Sequence, residues 1–278
     1  MNIYAYWYQG DLNEFTKNSM EQTKKNNPYL NYKLYDNAMS RTFIKNNFDP
    51  VVLECYDILK PKSYKSDLLR HCLLYKLGGI YIDVKLILNP VPQSLFENVD
   101  FLIAQGKKRR NFDFKPIETS FLYFKKPGNP RILEVIKEIV RNVKARDKTS
   151  HNLLITGPLL VGKKFIGVTP NMKFKATSMP KRSFIYSYKG QNLIDNDLTP
   201  YYGNKKHEAY WNMFKSKSGV FYDVVPQENK KFRINIKKKK KAPSTPTQKD
   251  VVEPQAPMKS KANDMSIDMS GVRKNLFG

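Results

Sequence analysis

Four ionisable residues fall at spacings that would gather them at one point: Asp67, Arg70, Asp83 and Lys85, all within SDLLRHCLLYKLGGIYIDVK, residues 66–85. Asp67 and Arg70 are three apart, which on a helix puts them on one face. Asp83 and Lys85 are two apart, which on a strand points them the same way and turns Ile82 and Val84 to the other side. Gly78 and Gly79 lie between the two pairs and would fold helix onto strand, bringing all four side chains to one edge. Two carboxylates and two cations meeting there could grip sugar hydroxyls, a ribose and a diphosphate through charge-assisted hydrogen bonds. An acid and a base three apart are, by themselves, an ordinary surface ion pair. Asp83 argues for more, because an unpaired carboxylate in a strand otherwise reading Ile-Tyr-Ile-Val is costly to bury.

The elements that must position these residues are legible on either side. Residues 66–77 read as a helix capped by Ser66, with Asp67 in the first turn where the helix dipole favours negative charge. Gly78-Gly79 ends it, and a strand is expected over 80–86. Upstream, IYAYWYQ (3–9) reads as a strand, 13–25 as a helix, Asn26-Asn27-Pro28 as a turn and 32–35 as a second strand. That order predicts an α/β layer architecture. Downstream, a strand is expected at 100–104 and an amphipathic helix at 130–143. A short apolar run, 152–155, precedes Thr156-Gly157-Pro158.

Taken together these segments resemble glycosyltransferase family 32, the DXD-motif group that includes yeast-type mannosyltransferases and capsule enzymes, with glucosylating clostridial toxin domains as distant relatives. The resemblance rests on SD-x-x-R followed by L-Y-x-x-G-G-I-Y-x-D, on Asn27-Pro28 with the following YKLYD, and on Thr156-Gly157-Pro158; it extends over roughly 3–223. It implies a GT-A-type, Rossmann-like catalytic domain with a mixed central sheet flanked by helices. It also implies retaining transfer of a sugar from a UDP- or GDP-sugar to a hydroxyl of a glycan, glycolipid or protein. By the same resemblance Trp7 would stack on the nucleotide base, and Asp67 and Arg70 would bond the donor sugar. Asp83 would contact ribose and sugar, Tyr81 and Glu118 would line the donor site, and Trp211 would close over the diphosphate.

The second acid of the motif, a direct ligand of Mn²⁺ or Mg²⁺ in the family, is Lys85 here. Two readings stand open: the ammonium replaces the metal as a point charge on the diphosphate, or a metal remains, held by the diphosphate oxygens with Asp83 or His207, and Lys85 turns away. A catalytically silent protein of the same fold is a third.

The chain has 278 residues and a formal charge of +24, with 40% hydrophobic and 13% aromatic content. It can therefore bury a sizeable core, and its charge favours anionic partners. The stretch after Pro226, with the run Lys237–Lys241, carries about +8 of that charge and few large apolar residues. A catalytic domain at 1–226 and a disordered basic tail at 227–278 are expected. The tail suits peripheral contact with an anionic membrane. No RNP, zinc-finger or helix-turn-helix signature supports nucleic-acid binding. Cys55 and Cys72 read as buried free thiols. With no signal peptide and no long apolar run, a cytoplasmic location is expected. Gly157-Pro-Leu-Leu-Val-Gly162-Lys163-Lys164 nearly spells a phosphate-binding loop, but Lys164 stands where a hydroxyl is needed and Pro158 removes an amide donor.

Overall fold

The computed structural model describes residues 1–8, 10–147, 151–177, 182–202 and 217–221. Strand β1 (Asn2–Tyr6) leads into helix α1 (Glu14–Asn26) and returns as β2 (Asn31–Tyr35), paired in parallel with β1. A parallel pair needs such a crossover, and Asn13 starts it by accepting the Thr16 N–H on its side chain. Helices α2 (Asn37–Asn47), α3 (Pro50–Ile58) and α4 (Lys62–Leu77) follow, then β3 (Gly79–Ile82), α5 (Gln93–Glu97), β4 (Phe101–Gln105) and β5 (Ile117–Phe124). These five strands form one mixed sheet in the order β2-β1-β3-β5-β4, with β5 antiparallel to both its neighbours. After α6 (Pro130–Lys144), α7 (Asn152–Ile155) and α8 (Pro158–Lys164), a second antiparallel sheet is built from β6 (Lys173–Ala176), β7 (Ser183–Tyr188) and β8 (Gln191–Asp197).

Side chains alternate across a strand, and here both faces of the central sheet are covered. Tyr4, Tyr81 and Leu122 pack with Leu69 and Leu73 of α4 and Ile136 and Ile139 of α6. Their alternates Ile3, Ile80, Phe121 and Tyr123 pack with Leu86, Leu88, Tyr186 and Ile194 on the other side, where Phe15 of α1 also rests. This is the expected mixed α/β layering, with the small second sheet added to one face.

Three details depart from the expectations. Helix α4 begins at Lys62 rather than Ser66: Pro61, fixed at φ −65°, precedes its first turn, and the Pro61 carbonyl accepts from Tyr64 and Lys65. Ser66 therefore caps nothing and lies inside the helix. Strand β3 stops at Ile82, not Leu86; the chain turns at once, with the Leu86 N–H donating to the Asp83 carbonyl at 2.8 Å. The predicted first strand likewise ends at Tyr6, so Trp7 lies just past it, though its N–H still donates to the Tyr35 carbonyl at 2.9 Å. Cys55 and Cys72 are buried free thiols, as expected. Among the described residues no helix is long and apolar enough to cross a membrane. The proposed tail, 227–278, lies outside the described residues, as do His207 and Trp211.

Candidate active site

β1, β2 and β3 run the same way, so Trp7, Asp36 and Asp83 all emerge at one edge of the sheet. The carboxyl edge of parallel strands is where open α/β sheets take their ligands. At this edge Arg70 sits at the centre of a network. Its Nε and Nη2 donate to the Ser66 carbonyl and hydroxyl at 3.3 and 2.9 Å, and its Nη1 donates to the Thr119 carbonyl of β5 at 2.5 Å. Nη2 also faces Asp67 Oδ1 at 3.1 Å and Asp83 Oδ1 at 3.5 Å. The guanidinium carbon lies 4.5 Å from the Tyr81 ring centroid, a cation–π contact. The Tyr81 hydroxyl joins Ser66 Oγ at 2.7 Å and reaches Asp83 Oδ1 at 3.4 Å. The helix-to-strand reversal does bring the predicted quartet together. Asp83 and Lys85 meet through a turn, however, and not through strand alternation: Lys85 Nζ donates to Asp83 Oδ2 at 2.5 Å.

The four side chains differ in what they leave open. Arg70 is 5% exposed and its donors are largely committed to the protein, whereas Asp83 keeps 20% of its side chain exposed and Lys85 13%. Arg70 thus meets the site through the acids it holds. The two acids are tuned in opposite directions. Burial pushes Asp67 up to about 6, against the Arg70 charge and the Thr156 hydroxyl, which donates to Asp67 Oδ2 at 2.8 Å. Burial acts on Asp83 as well, but the charges of Lys85 and Arg70 outweigh it and hold that carboxyl below the usual range. Burial pulls Arg70 downward, and Tyr81, Asp67 and Asp83 overcome it, so the guanidinium stays charged.

The remaining predicted residues fall around this core. Trp7 is half-buried against the second core cluster, and its indole N–H is buried with no hydrogen-bond partner among the described residues. Glu118, on β5 beside the Thr119 carbonyl that receives Arg70, tucks its Oε1 beneath Gly106. Burial pushes its carboxyl up to about 7, with Arg109 opposing. The Thr156 hydroxyl ties the Thr-Gly-Pro segment directly to Asp67. Beyond it, the phosphate-loop look-alike is helix α8, with Leu159, Leu160 and Val161 buried. Gly162 is there for contact: a Cβ would lie 2.2 Å from the Lys115 carbonyl oxygen. Sequence reasoning missed Thr119, Ser120 and Tyr186. The Ser120 carbonyl accepts the Asp83 N–H at 2.8 Å, and its Oγ meets the Tyr186 hydroxyl at 2.6 Å. These contacts come from strand pairing and sheet stacking far along the chain, which local spacing does not signal.

The described residues do not fit a divalent ion. Both oxygens of Asp83 face cations, and no cluster of three or more His, Cys, Asp or Glu side chains that could hold a metal occurs among them. Mn²⁺ and Mg²⁺ need several oxygen or nitrogen ligands around one point; Asp67 is bound by Arg70 and Thr156, and an ammonium 2.5 Å from Asp83 repels a second cation there.

Residues 14–101 match the family described as the glycosyltransferase sugar-binding region containing a DXD motif. The chain is 26% identical over 207 residues to a glycosyltransferase of Acanthamoeba polyphaga mimivirus, covering 72% of this chain and 76% of that one. It is 25% identical over 139 residues to inositol phosphoceramide mannosyltransferase 3 of Schizosaccharomyces pombe, covering 50% of this chain and only 36% of that relative. Among solved structures it is similar to the PaToxG glycosyltransferase, with a TM-score of 0.42 at 16% identity, covering 60% of this chain and 67% of that one.

Proposed function

We propose, from the premise that this chain is a glycosyltransferase of the family whose sugar-binding region carries the DXD motif, that it transfers a sugar from a UDP- or GDP-sugar with retention of configuration. The observation that carries this reading is the joining of Asp67, Arg70, Asp83 and Lys85 in one network at the carboxyl edge of the sheet. Asp83, the most open of the acids, contacts ribose and sugar hydroxyls, and Lys85 beside it faces the phosphates. Arg70 and Asp67 act as positioning residues: Arg70 holds both carboxylates in place, and Thr156 fixes Asp67. Trp7 stacks on the base, and Glu118 borders the reacting carbon. Trp211, which lies outside the described residues, is assigned to the diphosphate by the family resemblance alone.

In the reaction the bond from the anomeric carbon to the diphosphate oxygen breaks, and a bond from the acceptor oxygen to that carbon forms on the same face. The acceptor's proton passes to the departing diphosphate, so no separate base is required. Catalysis rests on positioning and on stabilising the charge that develops on the leaving group. The name of the fission yeast relative describes mannosyl transfer to inositol phosphoceramide, which makes a hydroxyl on a lipid-borne headgroup one acceptor class to try for this chain. Thermal shift and hydrolysis assays across UDP- and GDP-sugars, each in EDTA and in excess Mn²⁺, test the reading. One or more donors should stabilise the protein and be slowly hydrolysed. Stabilisation by oligonucleotides alone, lost steeply with salt, would overturn it in favour of nucleic-acid binding.

A further inference from the structure

We infer that the Lys85 ammonium occupies the electrostatic place of a divalent metal ion, so that the donor diphosphate is held without metal. This rests on the donor reading above and names the cation of that same site. The first support is charge. A carboxylate at position 85 holding a divalent ion would carry one net positive charge, and so does an ammonium. With Lys85 the network of two carboxylates and two cations is neutral before the donor arrives; with an acid there it would carry two negative charges and call for a metal.

The second support is placement. Val84 and Leu86, on either side of Lys85, are 6% and 1% exposed and anchored in the second core cluster. The Lys85 carbonyl accepts from Ser19 Oγ of α1 at 3.4 Å. The turn closed by Leu86 N–H on Asp83 fixes the backbone, and Asp83 Oδ2 holds the ammonium at the open edge of the sheet. The Lys85 Nζ also lies 5.7 Å from the Tyr201 ring centroid. A lysine merely neutralising Asp83 could do so from a mobile stem. Here the backbone on both sides of the cation is anchored and the ammonium is held beside the most open acid of the network, as a preorganised charge for a leaving group would be. The third support is the donor set itself, in which both Asp83 oxygens are already taken by cations.

Isothermal titration of UDP and GDP into the full-length chain tests this, in excess EDTA and in excess Mn²⁺. The wild type should bind the preferred nucleotide equally well in both. Lys85→Met should weaken binding roughly 10- to 100-fold, the loss of one charged hydrogen bond, and Lys85→Arg should restore most of it. Lys85→Asp should bind weakly in EDTA and regain affinity in Mn²⁺, with the nucleotide-dependent loss of free-Mn²⁺ EPR signal that reports a ternary complex. A wild type whose nucleotide binding is abolished by EDTA and restored by Mn²⁺ overturns the inference. So does a folded Lys85→Met protein that binds as wild type, since Lys85 would then only balance Asp83. A wild type that binds neither nucleotide under either condition overturns the donor reading, and this inference with it.

Discussion

Asp67 and Glu118 are both acids that burial pushes upward, but their surroundings differ. Asp67 has the Arg70 guanidinium and the Thr156 hydroxyl to receive its charge, while Glu118 has Arg109 only as a distant field. Glu118 therefore favours its protonated form in the folded state, near 7 against an ordinary 4.5. Its contribution to stability is present below the ordinary value and is lost as pH rises through about 7. Glu118→Gln, neutral at every pH, should raise the melting temperature at about pH 8 and leave it nearly unchanged at about pH 4, below the ordinary value. Calorimetric scans at the two pH values check this; an equal shift at both would show that ionisation of Glu118 is not what the substitution removes.

At the scale of elements, the donor edge depends on how abruptly α4 becomes β3. Gly79 has φ +90°, and a Cβ on it would stand 2.7 Å from the Asn2 carbonyl oxygen of β1. Gly79→Ala combines a left-handed backbone with a backbone clash and should cost about 2–4 kcal/mol in urea unfolding. Donor affinity should fall with it, because Asp83 shifts relative to Arg70. This reversal was legible in the residues because everything it needs is local: two glycines, an i,i+3 pair and an apolar strand. Helix α6 was legible for the same reason, through its apolar periodicity, and α1 as a polar, helix-permissive stretch ended by Asn26-Asn27-Pro28. The start of α4 was not, because Ser66 is a good cap residue but Pro61, five residues earlier, had already set the helix going. Nor was the turn after Ile82, since Val84 and Leu86 are as apolar as strand residues and are buried in the same core cluster as Ile80 and Ile82. Strand β5, IETSFLYF, is buried on both faces and so shows no alternation. The second sheet is mostly half-exposed and carries Asn and Asp within β8, residues depleted in strands. The site's contacts to Thr119, Ser120 and Tyr186 were hidden with those strands.

At the scale of the molecule, we propose that the surplus of positive charge serves two separable ends. Arg70 and Lys85 in the folded part face the donor edge, while the lysine run after Pro226 would meet anionic lipid, at about 1 kcal/mol per cation near the surface. Truncation after Pro226 should leave UDP or GDP affinity unchanged and reduce sedimentation with phosphatidylserine vesicles; a loss of nucleotide affinity would move the domain boundary into the tail. The glycine-linked reversal has one more consequence, for how such a molecule can diversify. It acts as a ruler: inserting or deleting one residue between Asp67 and Gly78 would swing the acid about 100° around the helix, and a slip of one in β3 would send Tyr81 to the opposite face. The segment can therefore exchange side chains but not change length. Single-residue insertions should be tolerated in connections such as 106–116 and 165–172 but abolish folding or donor binding when placed between Asp67 and Ile82, which a scanning-insertion series read by thermal melting and nucleotide affinity would check.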